Sequence, residues 1–490
     1  MNEYVELPEE KVSLKTKLSY SFGGLANGFF NSFVFSNLTF FYNVKLNVDE
    51  SLLIIGWLIF IIWNTLNDPI ASYIIDNTRT KIGRRIPYIR YGSIFYGLAF
   101  IFCWFPIAPL DNQIALFVNF TVALFVLDTM FTLVGVCYFS LPNEIAVTAK
   151  GRASIGVYSS AVGLINFVLG FILPVILLTG QEELHPLFAP IIIVVGIGGS
   201  ALLFVTSFGL KENMFAQLQE HEGFIKGLRL TFKNKPFWII MIPAFLIATL
   251  YPIFFTGILY YIDYVIPGQS PIYVLLSTII GIIVGLVLTM KKIAKWQPKK
   301  AMIINAYLLV GGLVLLFIIG YNSVLASIST LILGTGYGGA IIGNMTIMGD
   351  VIDNDELITG KRREAIYGGV NAIITKPSVS IGNAIFLAII SGFGFIPKQH
   401  PQQIVAIIGI MLAFCIVPSI LLFLSAITLR WYPLDGPEWL EKKKHIMEVH
   451  KKKEKSYLES LSKKSKPSNL DTDLKKTKLK SENNQKKRRE

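Results

Sequence analysis

Charge is what this sequence has least of. Asp, Glu, Lys and Arg make up 16% of its 490 residues, against 53% hydrophobic. A water-soluble chain of this length would carry about 25% charged residues, spread over two or three domains. The scarcity excludes that class. Cysteine is scarce too. Cys103, Cys137 and Cys415 lie in apolar segments, which excludes a disulfide framework and leaves three small buried hydrophobes. The five histidines have no paired nucleophile, and no His, Cys or carboxylate cluster has metal-ligand spacing. The glycine run GTGYGGA (Gly334 to Ala340) lacks the Lys-Ser/Thr of a phosphate loop. It reads instead as close helix packing. No catalytic site, cofactor or metal is expected. The first 17 residues also lack the apolar core and cleavage site of a signal peptide.

What the sequence does have is apolar runs of about 20 residues or more, the length that crosses a bilayer. Twelve spans are expected, near 18–42, 52–75, 88–108, 112–141, 152–179, 188–209, 237–262, 271–290, 299–320, 324–351, 367–395 and 402–430. The linkers after odd spans hold almost no Lys or Arg, with Lys45 and Lys398 as exceptions. Those after even spans are rich in both. Basic linkers stay inside, so the even linkers and both termini are expected in the cytoplasm and the protein in the cell membrane. The +13 net charge therefore follows topology and implies no nucleic acid.

The domain reading is a cytoplasmic segment 1–17, a six-helix bundle 18–210, a cytoplasmic linker 211–236, a second six-helix bundle 237–430 and a basic tail 431–490. The tail reads as disordered. Its lysines, interleaved with Trp439, Leu440, Ile446 and Val449, also suit anionic lipid headgroups. An internal repeat supports the division. Glu144, Thr148, Lys150 and Arg152 recur as Asp355, Thr359, Lys361 and Arg363, each 211 residues later. Two parallel halves related by an axis along the membrane normal would show such a pattern.

Charges inside the spans mark function, because each is costly there unless paired or hydrated. Asp68 lies about 12 Å from the inner end of the second span, and Lys376 about 14 Å into the eleventh, at 1.5 Å per residue. Their matched depth predicts a pair or a shared watery cavity. Asn64 is one turn from Asp68 on the same face. Asn27 and Asn31 repeat that spacing in the first span, and Ser160, Asn166 and Asn371 extend the polar set. Asp128 is a further buried acid with no obvious partner. Tyr251, Tyr260 and Tyr261 offer polar tips to a cavity, although Tyr260 and Tyr261 suit interface anchoring equally. Asp76, Arg79, Gly83, Arg84 and Arg85 crowd one short linker. Such arginines can pair with carboxylates or cap helix ends in one conformation and release them in another, as a gate does.

These residues carry a resemblance. NDP at 67–69, followed by D-x-x-R-x-x-x-G-R-R-x-P from Asp76 to Pro87, resembles the second helix and following loop of the glycoside–pentoside–hexuronide:cation symporters, the melibiose-carrier group of the major facilitators. GDVIDNDELITGKRRE (Gly349 to Glu364) resembles the family's second signature loop, with Asp353, Gly360, Lys361, Arg362 and Arg363 as its gate residues. Lys376 falls where the family has a lysine near its cation site. The resemblance implies an all-α membrane protein with twelve transmembrane helices in two pseudo-symmetric six-helix bundles. It implies cation-coupled symport of a sugar or glycoside by alternating access, with H+ or Na+ as the cation.

By the same resemblance Asp68 is the inner of two acids on the second helix, and Asn64 stands where the outer would be. Positions that hold acids, a Trp and an Arg in sugar-binding members hold Gly24 or Leu25, Gly135, Phe139 and Ser160 here. The site is thus less polar than the family pattern. An amphipathic substrate such as a lysolipid is an alternative, as is an uncoupled facilitator. A membrane scaffold or sensor that moves nothing fits least. The expected partners are a small-molecule substrate, a monovalent cation and the bilayer, and the expected state is a monomer.

Overall fold

The computed structural model describes residues 12–146, 149–180, 183–211, 231, 234–360 and 363–465. They form helices and connecting turns. α1 (Leu14–Phe40), α2 (Glu50–Asn77), α3 (Ile86–Trp104), α4 (Gln113–Ile145), α5 (Ala149–Leu178) and α6 (Phe188–Thr206) come first. α7 (Lys235–Tyr260), α8 (Ile272–Ile293), α9 (Trp296–Ile319) and α10 (Ser323–Thr359) follow. α11 is a pair of segments, Glu364–Thr375 and Pro377–Gly392, and α12 runs from Ile404–Met411 through Val417–Leu429. α13 (Gly436–Ser465) closes the described chain. Eleven of these meet length and apolarity for a membrane crossing. α1, 27 residues long, is about 40 Å at 1.5 Å per residue and supplies the twelfth. The chain is an integral multi-pass membrane protein.

Local sequence explains the helix starts. Ser13, Asp49, Asn112, Asn234 and Asn322 each accept a hydrogen bond from a first-turn backbone N–H of α1, α2, α4, α7 and α10. That satisfies donors which have no partner within the helix. At the other end, Gly360 takes a left-handed φ of 70° and stops α10, a conformation that glycine adopts without a Cβ clash. α11 crosses as one span, Ile366–Gly392, as expected; Lys376 keeps helical geometry, and only the hydrogen-bond ladder is interrupted, because Pro377 has no N–H.

α1 packs on α5 and α6, α2 and α3 on α4, and α3 on α6; α7 packs on α11 and α12, and α10 on the α8–α9 pair. The two groups mirror one another in detail. α1 and α7 each end in a five-residue π-helical turn, Phe41–Lys45 and Tyr261–Val265. Between the groups, α1 and α5 touch α7, and α2 touches α11. The glycine run packs as expected. A Cβ on Gly338 would stand 2.1 Å from the Ile282 carbonyl, and one on Gly285 only 1.9 Å from that of Thr335. α8 and α10 therefore cross backbone to backbone. The three cysteines are buried thiols.

The tail departs from expectation. Disorder was expected over 431–490, yet Gly436–Ser465 is helical, and α13 lies against α10. The reason is a stripe at helical spacing. Trp439 and Ile446 are buried, Lys443 pairs with Asp350, and His450 Nε2 lies 2.7 Å from Glu356 Oε2. Composition shows the lysines but not the acids waiting for them on α10. Most of the expected 211–236 linker lies outside the described residues.

Candidate functional site

Asp68 and Lys376 meet. Lys376 Nζ donates to Asp68 Oδ1 at 2.5 Å, across the contact between α2 and α11. Their side chains keep 21% and 19% exposure, so the pair is not sealed in the core. Asn64, one turn away and buried, donates through Nδ2 to the Lys376 carbonyl at 3.4 Å. Pro69 next to Asp68 has no N–H to give the Thr65 carbonyl one turn back. Pro377 interrupts the ladder of α11 beside Lys376 in the same way, so each helix has a backbone carbonyl without its usual N–H partner near the pair.

Asp128 has a partner after all. The sequence suggests none, but Asn67 Nδ2 donates to Asp128 Oδ2 at 3.0 Å and to Thr132 Oγ1 at 3.1 Å. Asp128 is 1% exposed. Asn67 and Thr132 join the candidate site, and the sequence reading did not select them for it. The signal was present: Asp128 and Thr132 are one turn apart on α4, and Asn67 adjoins Asp68.

The remaining polar candidates scatter. Asn27 is buried, its backbone carbonyl accepts from the Tyr96 hydroxyl at 3.2 Å, and its side-chain oxygen has no partner among the described residues. Asn166 on α5 also has an unpartnered buried oxygen and abuts Gly28 of α1. Asn31 and Asn371 are half-buried, and Ser160 is exposed. Phe139 is 70% exposed and meets only the Phe131 ring edge-on among the described aromatic contacts. Tyr260 and Tyr261 are fully buried, so interface anchoring does not describe them. The Tyr260 hydroxyl donates to Asn43 at 2.8 Å, and that of Tyr261 to the Gly320 carbonyl at 2.5 Å. An apolar groove of about 370 Å³ between α3 and α6, lined by residues such as Ile94, Leu98 and Ile197, has no ionisable lining and lies apart from these groups.

The arginine-rich turn closes on an acid that the sequence shows only as part of the repeat. Glu144 at the end of α4 accepts Arg84 at 2.8 Å and Arg85 at 3.1 Å. Arg84 also lies 3.6 Å from the exposed Asp76. Arg79 donates to the backbone carbonyls of Asp76 and Thr78, and Gly83 has a φ of 115°. In the second half the repeat partner of Glu144 is Asp355, which pairs with Arg363; both are buried. Asp353 is half-buried beside Asp350. Lys361 and Arg362 lie outside the described residues. Both acid–arginine clusters sit at the face that carries the termini.

The family described as MFS/sugar transport protein matches residues 19–436. The chain belongs to it. This is a glycoside–pentoside–hexuronide-type member of the major facilitators, a transporter and not an enzyme. It is similar to YagG of Escherichia coli (strain K12), which carries the name of a glycoside/cation symporter. The two are 23% identical over 435 residues, 86% of this chain and 93% of that one. A glucuronide carrier protein homolog of the same organism is 23% identical, over 88% of this chain and 95% of its own. Among solved structures, a D-xylose-proton symporter superposes with a TM-score of 0.62 at 14% identity, covering 85% of this chain and 97% of that one. The last likeness shows the major facilitator fold alone.

Proposed function

We propose that this transporter couples uptake of a sugar or glycoside to a monovalent cation by alternating access. The observation that carries the reading is the Asp68–Lys376 pair. It joins the two halves inside the membrane, and each partner is only partly buried. The names of the relatives, glycoside/cation and glucuronide carriers, supply the substrate class. Basic linkers place the face with the termini in the cytoplasm.

On that orientation the conformation is inward-facing. Beyond the Asp68–Lys376 level, the hydrogen bonds between halves lie toward the opposite, outer end: Thr39 to Asn383, Thr256 to the Ser36 carbonyl, Tyr260 to Asn43, and Gly180 to Asp263. α1 is buried without interruption from Phe33 and α7 from Pro252. At the inner ends, the Glu144 and Asp355 ion pairs with arginine each lie within one half. They act as the gate loops: Asp76, Arg79, Gly83, Arg84 and Arg85 on one side, and Asp353 and Gly360 to Arg363 on the other. A cation arriving at the site weakens the attraction between Asp68 and Lys376, with Asn64 beside them, and lets the bundles rock. Asn27, Asn166 and Asn371 offer hydrogen bonds to substrate hydroxyls. The exposed lysines of α13, Lys442 and Lys444, face anionic headgroups.

Uptake into proteoliposomes tests the reading, with a panel of sugars, glycosides and lysolipids at varied sodium, lithium and pH. Sugar uptake that rises with one cation and disappears in Asp68→Asn supports it. Uptake of lysolipid alone, or sugar uptake indifferent to every cation, overturns it.

A further inference from the structure

The apolar groove between α3 and α6 ends on a cation. Ile94, Leu98 and Ile101 form its α3 wall. They follow Arg90 at spacings that put all four residues on one helix face. The α6 wall runs through Ile197, Ala201 and Val205, and the next turn brings Phe208. The Arg90 guanidinium carbon lies 3.9 Å from the Phe208 ring centroid, so these two residues meet at the inner mouth of the groove. The floor is tight and dry. A Cβ on Gly97 would stand 2.7 Å from the Gly196 carbonyl, and the Ser200 hydroxyl is given to the Ser93 carbonyl at 2.7 Å. From Arg90 to Ile101 the helix rises about 16 Å at 1.5 Å per residue. That is roughly half of a hydrocarbon core about 30 Å thick. Arg90 gives its Nε to the Ser207 hydroxyl at 3.0 Å, and no carboxylate among the described residues pairs with its guanidinium. Lys15 and Lys211, both exposed, flank the same turn, Ser207–Gly209. Lys15 Cγ would lie 3.7 Å from a Cβ on Gly209. Neither lysine has an ion pair among the described residues.

We propose that this groove binds an anionic phospholipid of the cytoplasmic leaflet. One acyl chain lies between α3 and α6, and the phosphate sits on Arg90, with Lys15 and Lys211 completing a positive mouth. The chemistry selects the class. The groove offers no free polar group, so its occupant is a hydrocarbon chain of about one leaflet's length. A guanidinium can hold phosphate through two parallel N–H donors. A headgroup with its own ammonium would meet the two lysines with like charge, whereas phosphatidylglycerol brings only the negative charge. The site rests on the orientation read from the basic linkers and is independent of substrate and coupling ion. Both of its helices belong to the first half, where α6 also packs on α1, so a bound lipid braces that half.

The test is thermal unfolding of the purified full chain in detergent, titrated with phosphatidylglycerol, phosphatidylcholine or glycerol phosphate. A lipid that binds only the folded state raises the melting temperature by mass action. Phosphatidylglycerol should act at lower concentration than phosphatidylcholine, and high salt should narrow the difference. Glycerol phosphate, the headgroup without chains, should give no shift. Arg90→Gln should raise the half-saturating phosphatidylglycerol concentration about tenfold, the size of one lost hydrogen bond to a charged group. Ala201→Phe fills the groove from an exposed wall position and should weaken both lipids. Equal responses of the wild-type chain to the two lipids overturn the inference. So does a shift with glycerol phosphate as large as the lipid's, or wild-type titration in either variant. A preference lost in Lys442→Gln with Lys444→Gln but kept in Arg90→Gln would place the headgroup on α13 and also overturn it. Should Arg90→Gln not run as a monodisperse peak, Lys15→Gln with Lys211→Gln decides in its place. A weaker phosphatidylglycerol titration then upholds the site, and an unchanged one removes it.

Discussion

At the scale of single residues, the Asp68–Lys376 pair is an interaction whose two halves are unequal in isolation. Removing Lys376 leaves a half-buried carboxylate without its ammonium; removing both charges leaves a neutral contact. Breaking a buried pair from one side costs about 3–5 kcal/mol. Partial exposure here discounts that to about 1–2 kcal/mol, because neither group is fully desolvated. Lys376→Ala should therefore lower the melting temperature in detergent by several degrees. Lys376→Ala with Asp68→Asn should recover most of that loss, and a double variant as unstable as the single would count against the pair. Glu144 is the corresponding residue at the gate. Glu144→Gln removes the charge that holds both Arg84 and Arg85, and it should loosen the α2–α3 turn, read as faster cleavage or labelling there.

At the scale of elements, two helix contacts depend on opposite kinds of chemistry. The α8–α10 crossing depends on missing side chains. Gly285→Val would drive a Cβ into the Thr335 carbonyl, and the helices would have to separate. Overpacking of this sort costs about 1–3 kcal/mol or more. The expected result is loss of the monodisperse peak in fluorescence-detected size exclusion. Gly349→Ala on the same α10, where a Cβ meets nothing within 4 Å, should leave it intact. The α13–α10 contact depends on charge instead. Asp350 has a 1% exposed side chain, and Lys443 is its ammonium. Truncation after Asp435 would leave Asp350 and the groove for Trp439 and Ile446 uncovered. A melting temperature several degrees lower is expected, with Lys443→Ala falling between the truncated and full chains.

At the scale of the whole molecule, the arrangement of contacts predicts which face is open. Besides the Asp68 and Asn64 contacts to Lys376, the polar bridges between the halves among the described residues lie at the end away from the gate loops, where Asn383 takes hydrogen bonds from Thr39 of the first half and Thr256 of its own at 2.9 and 3.1 Å. Asn383→Ala removes the shared acceptor and should shift the population toward the opposite opening. A cysteine placed at Asn371 should then label more slowly with a thiol reagent added from the terminal face, and one at Ser36 faster from the other side. Equal rates in both backgrounds would show that the bridge does not bias the equilibrium.

The sequence alone determined the membrane class, the twelve spans, the halves' internal repeat and the matched depth of Asp68 and Lys376. Each of these is written in one dimension: run length, periodicity, spacing and the sign of linker charge. Which acid is paired and which is left over was decided only by the tertiary structure. Asn67, Asp128 and Thr132 come together across two helices, and Glu144 receives arginines from another turn, through contacts that no local pattern encodes. The tail makes the same point. Its lysines read as solvated because their partners, Asp350 and Glu356, lie about a hundred residues away in sequence and become neighbours only when α10 is folded.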